Sequence, residues 1–188
     1  MPMNWIHRRL CRSERWAEAV ENSLLPWALD GVDLGADILE IGPGFGVTTE
    51  VLARRPGWVT ALEVDRDSVD YLRDRFGDRV DVVHGDGARM PWPDNAFSAA
   101  TCFTMLHHVP SPELQDRLFA EARRVLRPGG VFAGTDSLPS LRFRMIHLGD
   151  TMVTVDPETL PDRLHAAGFT DVEVAVGGRR FRFRAHRG

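Results

Sequence analysis

From residue 37 onward, apolar residues fall into short runs separated by amphipathic stretches. The runs at 37–41, 58–64, 80–84, 96–103 and 130–136 have the length and β-branched content of buried strands. Spacings of three and four predict helices over 47–55, 66–76 and 111–126. Such alternation implies a mainly parallel sheet with helices on both faces. Upstream, Trp16, Val20, Leu24 and Trp27 make one helical stripe over 14–29, and Trp5, Trp16 and Trp27, eleven apart, extend it along nearly the same face.

The end of the chain breaks this rhythm. A Met-, Phe-, Leu- and Arg-rich insertion at 138–155 precedes a helix expected over 157–167, capped by Gly168. Two strand patterns follow, "DVEVAV" and "RRFRFRAH", parted by Gly177 and Gly178. Two residues cannot make a parallel crossover, so the pair must be an antiparallel hairpin.

Composition narrows the class. The 188 residues are 43% apolar and 27% charged, which fits one globular domain with a real core. No apolar run approaches the roughly 20 residues that span a bilayer, and the N-terminus lacks a secretory apolar region, so a cytoplasmic protein is expected. Cys11 and Cys102 make neither a disulfide framework nor a zinc motif. All 23 basic side chains other than histidine are arginine, which excludes a P-loop lysine and Schiff-base chemistry. A net charge of −4 supplies no global attraction to nucleic acid.

The chemistry gathers at "ILEIGPGFGVTTEVL". Gly42, Gly44 and Gly46 let the backbone approach a ligand and turn into a helix. A dinucleotide loop would need glycine at 47, where this chain has Val47. Glu40, at the end of the strand, would repel a pyrophosphate and attract an ammonium. Glu63, 21 residues beyond Gly42, stands where doubly wound folds set an acid against a ribose diol. Asp65 reads as a helix cap. Asp86, after the third strand, suits an adenine amino group, with the Gly87 or Ala88 backbone against the ring.

These residues resemble the class I S-adenosylmethionine-dependent methyltransferases, in particular the type 11-like small-molecule enzymes. "LEIGPGFG" matches their first motif, "ALEVD" the acidic strand end and "GDGARMPWPDNAF" the adenine loop, while "MLHHVPSPELQDRLFAEARRVLRPGGVFAGTDS" matches the stretch through strand five. The resemblance implies a Rossmann-like doubly wound sheet of seven strands in the order 3-2-1-4-5-7-6, with strand seven antiparallel. It implies S-adenosylmethionine as methyl donor, S-adenosylhomocysteine as product, and no metal. The donor would meet Glu40, Gly42, Pro43, Gly44 and Gly46 at the first loop. Glu63 and Val64 would follow at the second strand, Asp86, Gly87 and Ala88 at the third, and Phe103 at the fourth. Ser98 departs from the aspartate that relatives often carry there. One domain is expected over 1–188: a helical cap at 1–34, a cofactor core at 35–136, an insertion at 137–156 and a final helix and hairpin at 157–188.

The acceptor is less legible. His107 and His108, after strand four, are candidates for a general base, though "LHH" also reads as a local helix opening; Asp136 and His147 are weaker candidates. Similar proteins often cover the cofactor with an N-terminal segment, which brings in Asn4, Trp5 and His7. Arg142, Arg144 and His147 sit in an insertion read as a cap over a small hydrophobic or anionic acceptor. Arg180, Arg182 and Arg184 alternate with Phe181 and Phe183, a solvated face or an anion patch.

Three other functions compete with this one. The first loop is also similar to rRNA adenine dimethyltransferases, but "CFTMLHH" lacks their Asn/Asp-Pro-Pro-aromatic element. A membrane-lipid or quinone-type methyltransferase would use the arginine-rich ends for peripheral contact with anionic lipid. A non-catalytic binding subunit that keeps the fold is a further alternative, and intact Glu40, Glu63 and Asp86 argue against a decayed site.

Overall fold

In the computed structural model the described residues are 4–188, apart from the side chains of Ile6 and Arg142. The candidate Arg142 side chain and residues 1–3 of the expected cap therefore lie outside the described residues.

Two short helices open the chain, α1 at Trp5–Cys11 and α2 at Glu14–Ala19. Asn4 caps the first and Ser13 the second, each side chain accepting a backbone N–H three residues on. A π-helical turn at Val20–Leu24 then leads into α3 at Leu25–Ala28. The break at Ser13 divides the tryptophan stripe: Trp16 and Trp27 are half-buried, whereas Trp5 is exposed. A single face would have needed one continuous helix, and Ser13 starts a new one.

The alternating core follows. Strand β1 is Asp37–Ile41, helix α4 Val47–Leu52, strand β2 Trp58–Glu63, helix α5 Arg66–Phe76 and strand β3 Asp81–His84. Strand β4 is Phe97–Phe103, helix α6 Pro112–Val125 and strand β5 Leu126–Ser137. β5 begins four residues earlier than its apolar pattern, because Leu126 pairs with Phe97 before the "RPGG" segment bulges out and Val131 resumes opposite Ala99. Helices α7 at Leu141–Ile146 and α8 at Leu160–Ala166 precede β6 at Thr170–Gly177 and β7 at Arg180–His186.

The seven strands form one sheet in the order β3-β2-β1-β4-β5-β7-β6. β1 to β5 pair in parallel, and β7 runs antiparallel to both β5 and β6. The hairpin turn is Gly178-Arg179, not Gly177-Gly178. Gly177 stays extended opposite Arg180 under the Trp27 ring, where a Cβ would lie 2.8 Å from the indole, and Gly178 takes the positive φ of 64°.

Alternation along the strands divides the core in two. Leu39, Phe132, Phe181 and Phe183 pack with Leu118 and Phe119 of α6 and with Leu160 and Leu164 of α8. Ile38, Ala99 and Ala133 pack with Leu24, Leu25, Leu52, Leu72 and Phe76 on the opposite face. With both faces covered, the site is left to the carboxyl ends of the strands. No described helix is long and apolar enough to cross a membrane.

Candidate functional site

A cleft of about 690 Å³ opens above the carboxyl ends of β1, β2 and β4. α1 and α2 wall one side with Leu10, Cys11 and Trp16, and α7 closes another with Phe143 and Ile146. Its floor is the glycine loop. Gly42, Pro43 and Gly44 line it, with φ of 67° and 57° at the two glycines, a left-handed conformation that side chains disfavour. Gly46, also at positive φ, serves packing instead: a Cβ there would lie 2.6 Å from Phe76 of α5.

Glu63 faces the cleft from the end of β2. One carboxylate oxygen accepts the Gly44 N–H at 3.0 Å, and the other accepts the Val64 and Asp65 N–H groups at 2.9 Å each. The acid thus ties the glycine loop to the second strand. Three of the four lone-pair sites are thus used, and the oxygen that holds Gly44 keeps one for a ribose hydroxyl.

Glu40 lies deeper. It is buried and does not line the cleft; one carboxylate oxygen accepts from Thr48, which does line it. The other, Oε2, has no partner among the described residues. Burial pushes the Glu40 carboxyl from 4.5 up to about 7, with Glu63 adding to the rise and Thr48 and Thr49 opposing it. An orphaned buried acceptor beneath the loop fits an ammonium-bearing ligand above it, and a pyrophosphate does not fit there.

Val64 and Phe103 also line the cleft. Asp86, Gly87 and Ala88 do not: Asp86 is exposed, and its carboxylate caps the Ala88 N–H at 2.8 Å in its own turn. The third-strand loop is therefore not brought into the same cavity as the first two.

The other end of the cleft is a histidine cluster. Asp136, wholly buried at the end of β5, accepts the His107 backbone N–H at 3.0 Å and its Nδ1–H at 2.6 Å. His107 Nε2 lies 3.1 Å from His147 Nε2. His147 uses its Nδ1–H on the Phe143 carbonyl at 2.8 Å, and His7 uses its own on Asp150 at 2.9 Å. His108 stacks against His7 with ring centroids 5.2 Å apart. Burial lowers the pKa of His7, His147 and His108, the last to about 3, so these rings are neutral at pH 7. Cys11 is no nucleophile, since burial raises its thiol to about 11.

Sequence reasoning named the four histidines and Asp136 separately but missed Asp150. Asp150 accepts from the Asn4 backbone at 2.8 Å as well as from His7, pinning α1 to the segment after α7. The one available signal was "HLGD", which sets His147 and Asp150 one turn apart. Val153 N–H donates to the His107 carbonyl at 2.8 Å, so the insertion is fastened to the site. Arg182 and Arg184 are engaged elsewhere, Arg182 with the Trp27 carbonyl and ring and Arg184 with Glu173. Arg180 alone of that alternating set reaches the cleft, beside Arg179. Arg144 is not in the cleft wall.

Comparison with known proteins agrees with this geometry. Residues 39–134 match the family model described as a methyltransferase domain. A sterol 24-C-methyltransferase of Gibberella zeae is 32% identical over 137 residues, covering 64% of this chain and 35% of that protein. A fatty-acid O-methyltransferase of Mycolicibacterium smegmatis is 36% identical over 108 residues, covering 56% of this chain and 38% of that one. The chain thus spans little more than a third of the length of these curated relatives. A Thermotoga maritima crystal structure described as a SAM-dependent methyltransferase superposes with a TM-score of 0.77 at 20% identity, over 97% of this chain and 98% of that one, and shares the fold. The chain belongs to the methyltransferase-domain family, with the sheet order of the class I S-adenosylmethionine-dependent enzymes.

Proposed function

From membership in that family, we propose that the chain transfers a methyl group from S-adenosylmethionine to a small, largely apolar acceptor carrying an acidic or hydroxyl group. The observation that carries the reading is the glycine loop tied to Glu63 at the floor of the cleft, above the unpaired oxygen of Glu40. Gly42, Pro43, Gly44, Glu63, Val64 and Phe103 would hold the donor, with Glu40 acting from beneath the loop. When bound, the donor supplies an electrophilic methyl group on a sulfonium centre.

The chain's own part is to hold an acceptor in line with that methyl and to exclude water. Orienting two bound reactants supplies about 7–11 kcal/mol of the barrier. Phe143, Ile146 and Trp16 give the acceptor an apolar wall, while Arg15, Arg179 and Arg180 stand in the lining. Among the described residues no acceptor group is hydrogen-bonded to the Arg179 or Arg180 guanidinium, which leaves both for a carboxylate or hydroxyl on the acceptor. In this reading residues 141–151 are the acceptor cap. His107, held by Asp136, and His108 flank the acceptor end rather than the donor floor.

A lipid or quinone-type acceptor drawn from a membrane surface is the second reading. Leu141, Met145 and Leu148 form an exposed apolar stripe on and just after α7, at the cap.

The test is transfer of a labelled methyl from S-adenosylmethionine to a panel of fatty acids, aromatic acids, sterols and quinols, with RNA as the contrast. Product from an apolar acid or alcohol, lost when Arg180 is replaced by Ala, supports the reading. Label incorporated only into RNA would overturn it.

A further inference from the structure

Four of the chain's seven histidines meet at one end of the cleft, with no sequence motif bringing them together. The turn after β4, α1 and the end of α7 converge to assemble them, and Asp136 and Asp150 fix two of the rings. We propose that His7, His108 and His147 form a binding site for a divalent transition-metal ion, of the zinc or cobalt kind.

The hydrogen-bond inventory carries the inference. Carboxylate and carbonyl oxygens only accept, so Nδ1 of His7, His107 and His147 must each carry the hydrogen that reaches Asp150, Asp136 and Phe143 O. A neutral ring has one N–H, so His7 and His147, each spending Nδ1–H on an oxygen, keep Nε2 as the lone-pair nitrogen. His147 Nε2 lies 3.1 Å from His107 Nε2 within the cluster. Among the described residues neither ring nitrogen of His108 has a hydrogen-bond partner. One nitrogen from each of His7, His108 and His147 lies within 4.8 Å of the others. Tetrahedral ligands at about 2.0–2.1 Å from zinc stand roughly 3.4 Å apart, so closure needs about an ångström per ring.

The surroundings repeat what metal-bound imidazoles require. Such rings donate their second N–H to a carboxylate or backbone carbonyl, as His7 does to Asp150 and His147 to Phe143 O. Neutral imidazoles select zinc, cobalt, nickel and copper over magnesium or calcium. Three protein ligands leave one position open, and all three line the cleft, so that position takes water or an acceptor oxygen. Structural closure by cysteine is not available: Cys11, the one cysteine in the cleft lining, is not in the ligand set. The site stands apart from the donor floor, because none of its ligands belongs to the glycine loop or β2.

The experiment uses tag-free full-length protein, stripped with chelator and titrated with Zn²⁺ by calorimetry and with Co²⁺ by visible absorption. One equivalent is expected to bind, and cobalt is expected to give the intense bands of a tetrahedral site. His147→Ala and His7→Ala should each weaken binding by at least about 100-fold, and Asp150→Asn by about 10–100-fold. Replacing the remote, exposed His165 by Ala should leave metal binding unchanged. S-adenosylmethionine affinity, measured on the same His147→Ala sample, should stay at the wild-type value, which separates this site from the donor site and confirms the fold. Absence of stoichiometric binding, or wild-type affinity in His147→Ala, would overturn the proposal.

Discussion

Asp136 grips His107 at two points, accepting its backbone N–H at 3.0 Å and its ring Nδ1–H at 2.6 Å. The carboxylate sits at the end of β5 and the histidine just past β4, so one residue clamps two adjacent strand ends. Burial disfavours its charge, but the attraction and hydrogen bonds of His107, with the Ser137 N–H, hold its pKa below the usual value.

Removing that clamp leaves two buried donors without an acceptor. Asp136→Ala should therefore cost about 3 kcal/mol of stability. For a chain of this size that is a fall of roughly 6–12 °C in Tm, read by circular dichroism. A wild-type melting curve would mean the clamp is not holding the strand ends.

Glu40 sets a pH dependence of opposite kind. Its folded pKa of about 7 lies above its ordinary 4.5, so the folded state keeps a proton that the unfolded chain has released. The contribution is fully present below about pH 4.5 and is lost as pH rises through 7. Between pH 5 and 8 the ligand-free wild type should lose about 3 kcal/mol relative to Glu40→Gln, in which this titration is gone. Denaturant melts of both proteins across that range check it, and parallel curves would refute it. Saturating S-adenosylmethionine should shrink the difference, because a cation above the loop favours the charged form.

Gly46 is a packing residue inside a binding motif. A methyl group there would meet Phe76 at 2.6 Å and Leu72 at 2.7 Å, at a φ of 74°. Gly46→Ala should destabilise the fold by about 2–4 kcal/mol. Gly44, with no neighbour around its added Cβ, has only the backbone cost to bear, so Gly44→Ala should cost roughly half as much in urea denaturation. Equal losses at the two positions would contradict this division.

How much of this was readable in the chain varies with distance. Buried runs such as "ILEI" and "TCF" declare their strands locally, because a parallel sheet covered on both faces needs continuous apolar residues. The hairpin was forced by its two-residue link, although the turn slid by one position when Trp27 packed on Gly177. The pairing of glycine loop and Glu63 was also readable, since loop and acid follow consecutive strands. The histidine cluster was not. The His7–Asp150 contact joins residues 143 apart, and its geometry depends on how α1 and the post-α7 segment settle on the sheet edge. The tryptophan stripe misled for the same reason in reverse: its spacing was helical, but Ser13 capped a second helix and turned Trp5 outward. Asp86 shows a third limit: it is at the expected strand end, but its Oδ1 caps the Ala88 N–H and it does not line the cleft.

The central claim is that the cleft floor binds S-adenosylmethionine through the loop that Glu63 holds. Calorimetric titration of the purified chain with S-adenosylmethionine, beside Glu63→Ala, tests it most directly. The account predicts one site of micromolar affinity in the wild type and a loss of at least about tenfold in a Glu63→Ala protein that still melts cooperatively. A folded wild type that gives no binding heat with either S-adenosylmethionine or S-adenosylhomocysteine, at several temperatures, would contradict it.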